Sequence, residues 1–279
     1  MVFLPYRSGG TGCGFYLAAF SRCRASKIDP IQDHMGLLAR FLRWLQRPTT
    51  APSCADAAVQ PEDTYIVPAL AIAGARLHGP GVRQIECPNH SGTFCAEPDL
   101  VILHYTAGPS EASAIGHMCK ADAGASVHFV VGRGGQITQL VPTDTIAWHA
   151  GRSQWGDRLC GITSRTALNS CSIGIEIVNA GELDQNGDTW YKAHIYPSER
   201  VQLQHKDGGG PSLWHTYTDA QAMAVTRLCR AITECYEITA ILGHDDVSPG
   251  RKRDPGPAYP IQALRVALGH PQTYEAGGA

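Results

Sequence analysis

Three polar side chains lie at or near the ends of short apolar runs, where sheet edges meet loops in a folded domain. His104 and His244 each follow such a run, and Glu176 lies between Ile175 and Ile177. Burial in such a run raises the pKa of a carboxyl group and makes it a better general base near neutral pH. One histidine on an apolar strand is usually a packed core residue. Two histidines and a glutamate in one small domain make a catalytic or metal site as plausible as a packing role.

The segment 243–257 adds a third potential metal ligand. Asp254 precedes a proline, which keeps its backbone extended, and in an extended stretch residues i and i+2 point to the same side. Lys252 and Asp254 are therefore expected to face one way, and a Pro-Gly turn lets the chain fold back towards His244. A metal could then bind His104, His244 and Asp254 and keep one position open, as in hydrolytic zinc sites. Lys252 would stabilise an oxyanion there or belong to a solvated turn.

The strands and helices predicted around these residues indicate an α/β domain with a mixed central β-sheet flanked by helices. The predicted strands are 100–103, 127–131, 136–141, 172–178 and 238–242, and the predicted helices are 110–121, 218–234 and 261–268. A glycine-rich stretch joins the second and third strands, as is typical of a hairpin. Thr218 and Gln221 form a capping box at the start of a helix. Residues 181–215 are polar and turn-rich and are predicted to be a long loop or insertion.

Residues 1–62 are predicted to be an N-terminal extension to a domain over 63–279 whose core spans about 98–270. Apolar residues at helical spacing between Met35 and Leu45 carry a basic rim. This segment would pack on the main domain or lie on a membrane surface. Residues 47–62 have the Pro, Thr, Ala and Ser content of a linker.

Composition excludes several classes of protein. The chain has 279 residues, of which 43% are hydrophobic and 17% are charged, so it can bury a sizeable core and is not wholly disordered. Its net charge of -2 gives no global basic field for nucleic acid. Apolar runs fall well short of the roughly 18 residues that a membrane span needs.

The ten cysteines include no CxxC pair, which argues against a thiolate zinc site. Cys87 and Cys95 flank a turn-rich stretch and could bridge a hairpin. The alternative is that most of the cysteines are small buried hydrophobes in a reducing compartment. We expect a cytoplasmic protein, with a periplasmic or cell-envelope location as the alternative.

Six segments form an ordered set of motifs across roughly three-fifths of the chain. They are Ile102–Gly108, Ser126–Val131, Gln139–Pro142, Ala147–Gly151, Asn169–Asn179 and His244–Pro257. This set resembles the type 2 N-acetylmuramoyl-L-alanine amidase family. These zinc amidases include the AmpD muropeptide amidases, phage amidase lysozymes and peptidoglycan recognition proteins.

The resemblance implies the family's mixed-sheet α/β fold and one Zn²⁺ ion held by His104, His244 and Asp254. It implies that Glu176 is the general base, as in the AmpD-like branch, and that Lys252 stabilises the tetrahedral intermediate. The implied reaction is zinc-dependent hydrolysis of the amide bond between N-acetylmuramic acid and L-alanine in peptidoglycan or muropeptides.

The resemblance also implies substrate contacts from Trp148, His149 and Asn179, with a structural role as the alternative for His149. It implies a structural role for His128. Phage members carry tyrosine where this chain has Val127, which favours the AmpD-like branch. A non-catalytic peptidoglycan-binding module and an Fe(II) oxygenase with two histidines and one carboxylate are the alternatives. The oligomeric state and the choice between intact peptidoglycan and anhydro-muropeptide stay open.

Overall fold

A computed structural model of the chain describes residues 69–156 and 167–270. The predicted N-terminal extension over 1–62, with its helix and linker, lies outside the described residues. So does the predicted start of the main domain at residue 63.

The described residues form short strands, helices and two 3₁₀ turns. The strands are β1 (Ala71–Ala73), β2 (Arg76–His78), β3 (Val82–Gln84), β4 (His90–Thr93), β5 (Leu100–Tyr105), β6 (Phe129–Val131), β7 (Ile137–Gln139), β8 (Thr145–Ala147), β9 (Ser172–Ile177), β10 (Glu182–Leu183), β11 (Arg200–Gln204), β12 (Pro211–His215) and β13 (Ala240–Gly243). The helices are α1 (Glu111–Met118), α2 (Asp219–Cys235), α3 (His244–Val247) and α4 (Ile261–Ala267). The 3₁₀ turns are Ala167–Cys171 and Pro197–Glu199.

The largest sheet has six strands in the order β13-β5-β9-β6-β7-β3. Its neighbouring strands are parallel except for β6 and β7, which are antiparallel. Helices α1 and α2 pack against β6, and helices α3 and α4 pack against β13. The predicted mixed sheet with flanking helices is therefore confirmed.

The central strand β5 is buried on both faces, as is usual for parallel strands covered by helices. Val101 and Leu103 pack into a cluster with residues of helix α2, whereas Leu100 and Ile102 pack into a separate cluster. Side chains alternate between the two faces of a strand, so His104 continues the face of Leu100 and Ile102. The apolar run therefore fixes which face of the sheet carries this histidine.

The predicted hairpin and the predicted helix start are both confirmed. Strands β6 and β7 pair antiparallel, and Gly135 in their turn has a φ of 82°. A Cβ atom on Gly135 would lie 2.8 Å from the carbonyl oxygen of Ala220, so glycine is needed there. At the start of α2, Thr218 Oγ1 accepts the backbone N–H of Gln221, and Gln221 Oε1 accepts that of Thr218, each at 3.1 Å.

The predicted loop over 181–215 contains a folded unit that the sequence analysis missed. Strands β10, β12 and β11 form an antiparallel sheet in that order, which we call the inserted sheet. In β11, Val201 and Leu203 pack against the main core while the neighbouring glutamines are exposed, which is the two-residue period of a half-buried strand. Trp214 of β12 is almost fully buried and anchors the inserted sheet to the same core.

The possible hairpin disulfide between Cys87 and Cys95 is absent, because both are free thiols. The Cys87 thiol is buried and donates a hydrogen bond to the carbonyl oxygen of Met118 at 3.2 Å. Cys87 therefore behaves as the small buried residue of the alternative interpretation.

Candidate metal centre and active site

Three adjacent parallel strands bring the candidate residues to one edge of the main sheet. His104 on β5 lies directly opposite Glu176 on β9 in the register of the two strands. His244 follows β13, whose last residue, Gly243, pairs with Leu103 of β5. Because these strands run the same way, their carboxyl ends meet at one edge, where open α/β sheets commonly bind ligands.

Asp254 reaches the same point from the loop after helix α3. The Nδ1 atoms of His104 and His244 lie 2.9 Å apart. Asp254 Oδ2 lies 3.0 Å from the first of these nitrogens and 2.9 Å from the second. All three side chains are buried. The structure therefore brings together the three predicted metal ligands, in a group that could hold a metal ion.

The chemistry of these donor atoms fits a divalent cation. His244 Nε2 lies 3.0 Å from the carbonyl oxygen of Ala150, which only accepts, so Nε2 carries the proton and Nδ1 presents a lone pair. Burial, together with nearby His244, lowers the pKa of His104 to about 4. Burial alone would raise the pKa of Asp254, but contacts with both histidines hold this pKa well below its usual range. One proton on His104 Nδ1 can serve only one of these acceptors, whereas Zn²⁺ can accept electron pairs from all three donors.

Glu176 has the environment expected of a general base. Its Oε2 atom is buried and has no hydrogen-bond partner among the described residues. Burial raises the pKa of Glu176 to about 8, and the negative charge of Asp254 adds to this effect while Lys252 opposes it. Such a carboxyl group exchanges a proton near neutral pH far more readily than an exposed one.

Lys252 is half-buried beside the same group. Its positive charge lowers the pKa of both Glu176 and His104, so the ammonium group lies close enough to act on both residues. The backbone N–H of Lys252 donates to the carbonyl oxygen of Ser248 at 3.0 Å, which folds the chain back as the Pro-Gly turn predicts.

His149 lies against the candidate ligand His104. Its Nδ1 atom is 3.1 Å from His104 Nε2, and its own Nε2 is 3.3 Å from the hydroxyl oxygen of Ser172. A Cβ atom on Gly174 would lie 2.5 Å from His149 Cγ, so the ring packs directly on the backbone of β9. Both ring nitrogens are occupied within the protein. This arrangement supports the structural alternative, in which His149 orients a metal ligand.

His128 lies behind His149 and is fully buried. Its Nε2 atom donates to the carbonyl oxygen of Thr145 at 2.9 Å, and its Nδ1 atom accepts the backbone N–H of Gly174 at 3.0 Å. These bonds fix one neutral tautomer, and burial lowers the pKa of His128 to about 4. The geometry supports the structural role expected for this residue.

The other two predicted substrate contacts lie in different surroundings. Asn179 is 1% exposed, and its amide nitrogen donates to the carbonyl oxygens of His215 and Thr216, both at 3.1 Å. Its Oδ1 accepts the backbone N–H of Gly181 at 2.8 Å, so no donor is left for a substrate. These hydrogen bonds hold the Asn179 side chain within the protein, and its expected contact with substrate stays a prediction. Trp148 is half-buried, and its indole N–H donates to Ser91 Oγ at 2.7 Å.

Two residues near the site were missed by the sequence analysis. Trp190 is 72% exposed, and its indole N–H donates to the carbonyl oxygen of Ala107 at 2.5 Å, three residues beyond His104. Arg251 Nη2 donates to the carbonyl oxygen of Ala150, at 3.2 Å, which also accepts from His244. An exposed tryptophan in a polar insertion was the available signal for Trp190, whereas nothing in the spacing distinguishes Arg251 from its charged neighbours.

Curated proteins with related sequences include two amidases of Escherichia coli. The 1,6-anhydro-N-acetylmuramyl-L-alanine amidase AmpD of Escherichia coli (strain K12) is 32% identical over 145 residues, which are 51% of this chain and 58% of AmpD. The N-acetylmuramoyl-L-alanine amidase AmiD of the same strain is 31% identical over 175 residues, which are 59% of this chain and 51% of AmiD. The chain therefore spans only about half to three-fifths of the length of these relatives.

A solved structure of AmiD from E. coli with the substrate anhydro-N-acetylmuramic acid-L-Ala-D-gamma-Glu-L-Lys is 24% identical. The match covers 71% of this chain and 65% of that chain, with a TM-score of 0.46, which is too low to add to the assignment.

The family assignment rests on a match to a family model. Residues 95–257, more than half of the 279 residues, match the family model of N-acetylmuramoyl-L-alanine amidases named Amidase_2. The matched range contains His104, Glu176, His244 and Asp254, which converge on one edge of the sheet. The chain therefore belongs to the Amidase_2 family of N-acetylmuramoyl-L-alanine amidases.

Proposed function

We propose that this chain is a zinc-dependent amidase that hydrolyses the amide bond between N-acetylmuramic acid and L-alanine in peptidoglycan or muropeptides. The observation that carries the proposal is the convergence of three metal-binding donor atoms next to a desolvated carboxyl group. In this proposal His104, His244 and Asp254 hold one Zn²⁺ ion. Bound zinc supplies Lewis-acid chemistry, because it polarises a carbonyl group and lowers the pKa of a water molecule to about 7.

The protein groups would then handle protons and charge. Glu176 takes a proton from the attacking water and returns it to the leaving amine of L-alanine. Its raised pKa suits both steps, because the same carboxyl group must accept and then donate near neutral pH. The ammonium group of Lys252, whose positive charge acts on Glu176 and His104, would stabilise the negative charge that develops on the amide oxygen. His149 keeps the ring of His104 in place.

Anhydro-muropeptides are the substrate class we favour, since the AmpD relative is named for a 1,6-anhydro-N-acetylmuramyl substrate. The test is to incubate purified, zinc-loaded protein with anhydro-muropeptides and, separately, with whole sacculi, and to identify the products by mass spectrometry. We expect free stem peptide and the anhydro-sugar from the small substrate. Tight binding of muropeptide without release of peptide would instead support a non-catalytic binding module. Turnover that requires oxygen would support the Fe(II) alternative.

Trp190 is exposed and its indole is bonded to Ala107, three residues beyond His104, so its ring could contact a substrate bound at this site. The Trp190→Ala variant is expected to raise KM for muropeptide roughly 3- to 10-fold with little change in kcat, which is the size of one lost aromatic contact. Tyr196 is the matched control, because it is also exposed in the insertion but its ring packs edge-on against His194. Steady-state kinetics of both variants checks the prediction. Equal KM values in wild type and Trp190→Ala would exclude Trp190 from binding.

The pH dependence of stability tests the desolvation of Glu176. In metal-free protein the folded-state pKa of about 8 lies above the ordinary value of 4.5, so the folded state retains a proton that the unfolded chain releases. The stabilisation is complete below the unfolded pKa and is lost as pH rises through the folded pKa. Wild type should therefore lose free energy of unfolding relative to Glu176→Gln between about pH 5 and pH 8.5, by on the order of 4 kcal/mol.

Urea unfolding of the metal-free proteins at these two pH values measures this difference. Contributions from other titrating groups largely cancel in the comparison, because the two proteins differ only at residue 176. A stability difference that does not change with pH would mean that Glu176 is solvated in the folded protein.

The compartment is a separate proposal. None of the described helices is long and apolar enough to cross a bilayer. Five described cysteines are free thiols, as expected in the cytoplasm, but Cys171 is disulfide-bonded. A disulfide is typical of an oxidising compartment, so Cys171 favours the periplasmic or cell-envelope alternative. Fractionation of cells that express the full chain tests the two locations.

A further inference from the structure

We propose that residues 205–207, which follow strand β11 of the inserted sheet, are positioning residues for the metal centre. They hold residues 243–254, which we call the ligand segment because they include His244 and Asp254. The inference deepens the proposed function, since it assumes that these two residues bind zinc.

Each of the three residues contacts the ligand segment. His205 Nε2 lies 3.1 Å from Asp245 Oδ2. Lys206 Nζ lies 3.1 Å from Asp245 Oδ1 and also forms an ion pair with Asp246. Asp207 Oδ2 accepts the backbone N–H of Gly250 at 2.9 Å. The contacts therefore fall next to His244 and on the turn that leads towards Asp254.

The two contacted aspartates are hydrogen-bonded in turn to the backbone around the proposed ligands, Asp245 through its own N–H and Asp246 through its carboxylate. The backbone N–H of Asp245, next to His244, donates to the carbonyl oxygen of Asp254 at 2.8 Å. Asp246 Oδ2 accepts the backbone N–H of Gly243 at 2.7 Å and an Arg265 N–H at 2.6 Å. Asp245 and Asp246 are both buried, so their side chains have little room to move. A shift of either residue would therefore also shift the backbone around His244 and Asp254.

Residues of the inserted sheet also pack against His205 and against the ligand segment. His205 is 1% exposed and stacks on Trp214 of β12, with ring centroids 5.8 Å apart and an interplanar angle of 21°. Arg253, which precedes Asp254, lies over the Trp214 ring at 5.3 Å from its centroid. The same Arg253 donates two hydrogen bonds to Glu182 of β10, at 2.7 and 3.0 Å. The inserted sheet therefore holds the ligand segment at both of its ends.

Removing the charge of Lys206 should loosen the metal centre. The change leaves Asp245 and Asp246, which lie next to each other, with less positive charge to offset their burial. Loss of groups that orient metal ligands typically lowers metal affinity by 10- to 100-fold. We expect a loss of this size for zinc in Lys206→Met, and a further loss when His205→Gln is added.

Two measurements test the inference, with Lys192→Met as the matched control. Lys192 is an exposed lysine of the same insertion and lies outside both residues 205–207 and the ligand segment. The first measurement is the zinc dissociation constant from competition with a chelating dye. The second is hydrogen exchange of residues 243–254 in the metal-free proteins. We expect weaker zinc binding and faster exchange in Lys206→Met, and wild-type values in Lys192→Met.

The outcomes separate this inference from the proposed function. Unchanged zinc affinity and unchanged exchange in Lys206→Met would overturn the positioning role. Wild-type protein that binds no zinc would overturn the proposed function. In that case the exchange of the metal-free proteins would still decide whether residues 205–207 hold the ligand segment. Equal losses in Lys206→Met and Lys192→Met would also overturn the inference, since any charge change in the insertion would then suffice.

Discussion

Replacing Glu176 by glutamine is expected to lower kcat by about two to four orders of magnitude while zinc content stays at the wild-type level. Glutamine has nearly the same size and fits the same half-buried position, but it cannot accept a proton from water. The carboxyl group lies across from His104 in the strand register without belonging to the group of three metal-binding donors. Loss of the Glu176 carboxylate should therefore slow proton transfer and leave zinc binding intact.

The measurement combines turnover of anhydro-muropeptide, followed by chromatography, with elemental analysis of zinc in the same samples. Glu97→Gln is the control, because Glu97 is exposed and lies outside the site. Wild-type turnover in Glu176→Gln would remove this residue from the mechanism. Loss of zinc from the variant would show that Glu176 supports the metal centre rather than proton transfer.

Replacing His104 or Asp254 by alanine is expected to abolish stoichiometric zinc binding and, with it, hydrolysis. The three donor atoms lie within 3.0 Å of one another, and all three would be needed to hold the ion. Two protein donors rarely hold zinc against a chelator, because catalytic sites normally use three. We expect less than about one-tenth of the wild-type zinc after dialysis against a chelator.

His117→Ala is the matched control for this experiment, since His117 is an exposed histidine on helix α1. Circular dichroism of each variant checks that the fold is retained. Full zinc content in folded His104→Ala and Asp254→Ala would contradict the ligand assignment and, with it, the proposed mechanism.

The main sheet and the candidate site were predictable because local patterns determine them. The wholly apolar run before His104 predicted a strand whose end carries this histidine, and the strand is observed there. The Asp-Pro dipeptide and the turn before it predicted that Asp254 folds back towards His244. These features depend on a few neighbouring residues, so the sequence alone contains the necessary information.

The inserted sheet and the surroundings of the site depend on contacts between distant residues. Strand β11 has only five residues, and glycines and polar residues around it hid its two-residue period. The pairing of His205 with Asp245 joins positions 40 residues apart, and no local pattern indicates it. Asn179 lies in a matched motif, but its role depends on carbonyl oxygens of residues 215 and 216, which approach it only in the folded chain.

X-ray absorption at the zinc edge of the purified, zinc-loaded protein tests the central claim most directly, because it identifies the atoms bound to the metal. We predict two imidazole nitrogens at about 2.0–2.1 Å and oxygen ligands at about 2.0–2.2 Å, with this pattern lost in His104→Ala. Sulfur ligands at about 2.3 Å, or a wild-type pattern in His104→Ala, would contradict a metal centre built from His104, His244 and Asp254.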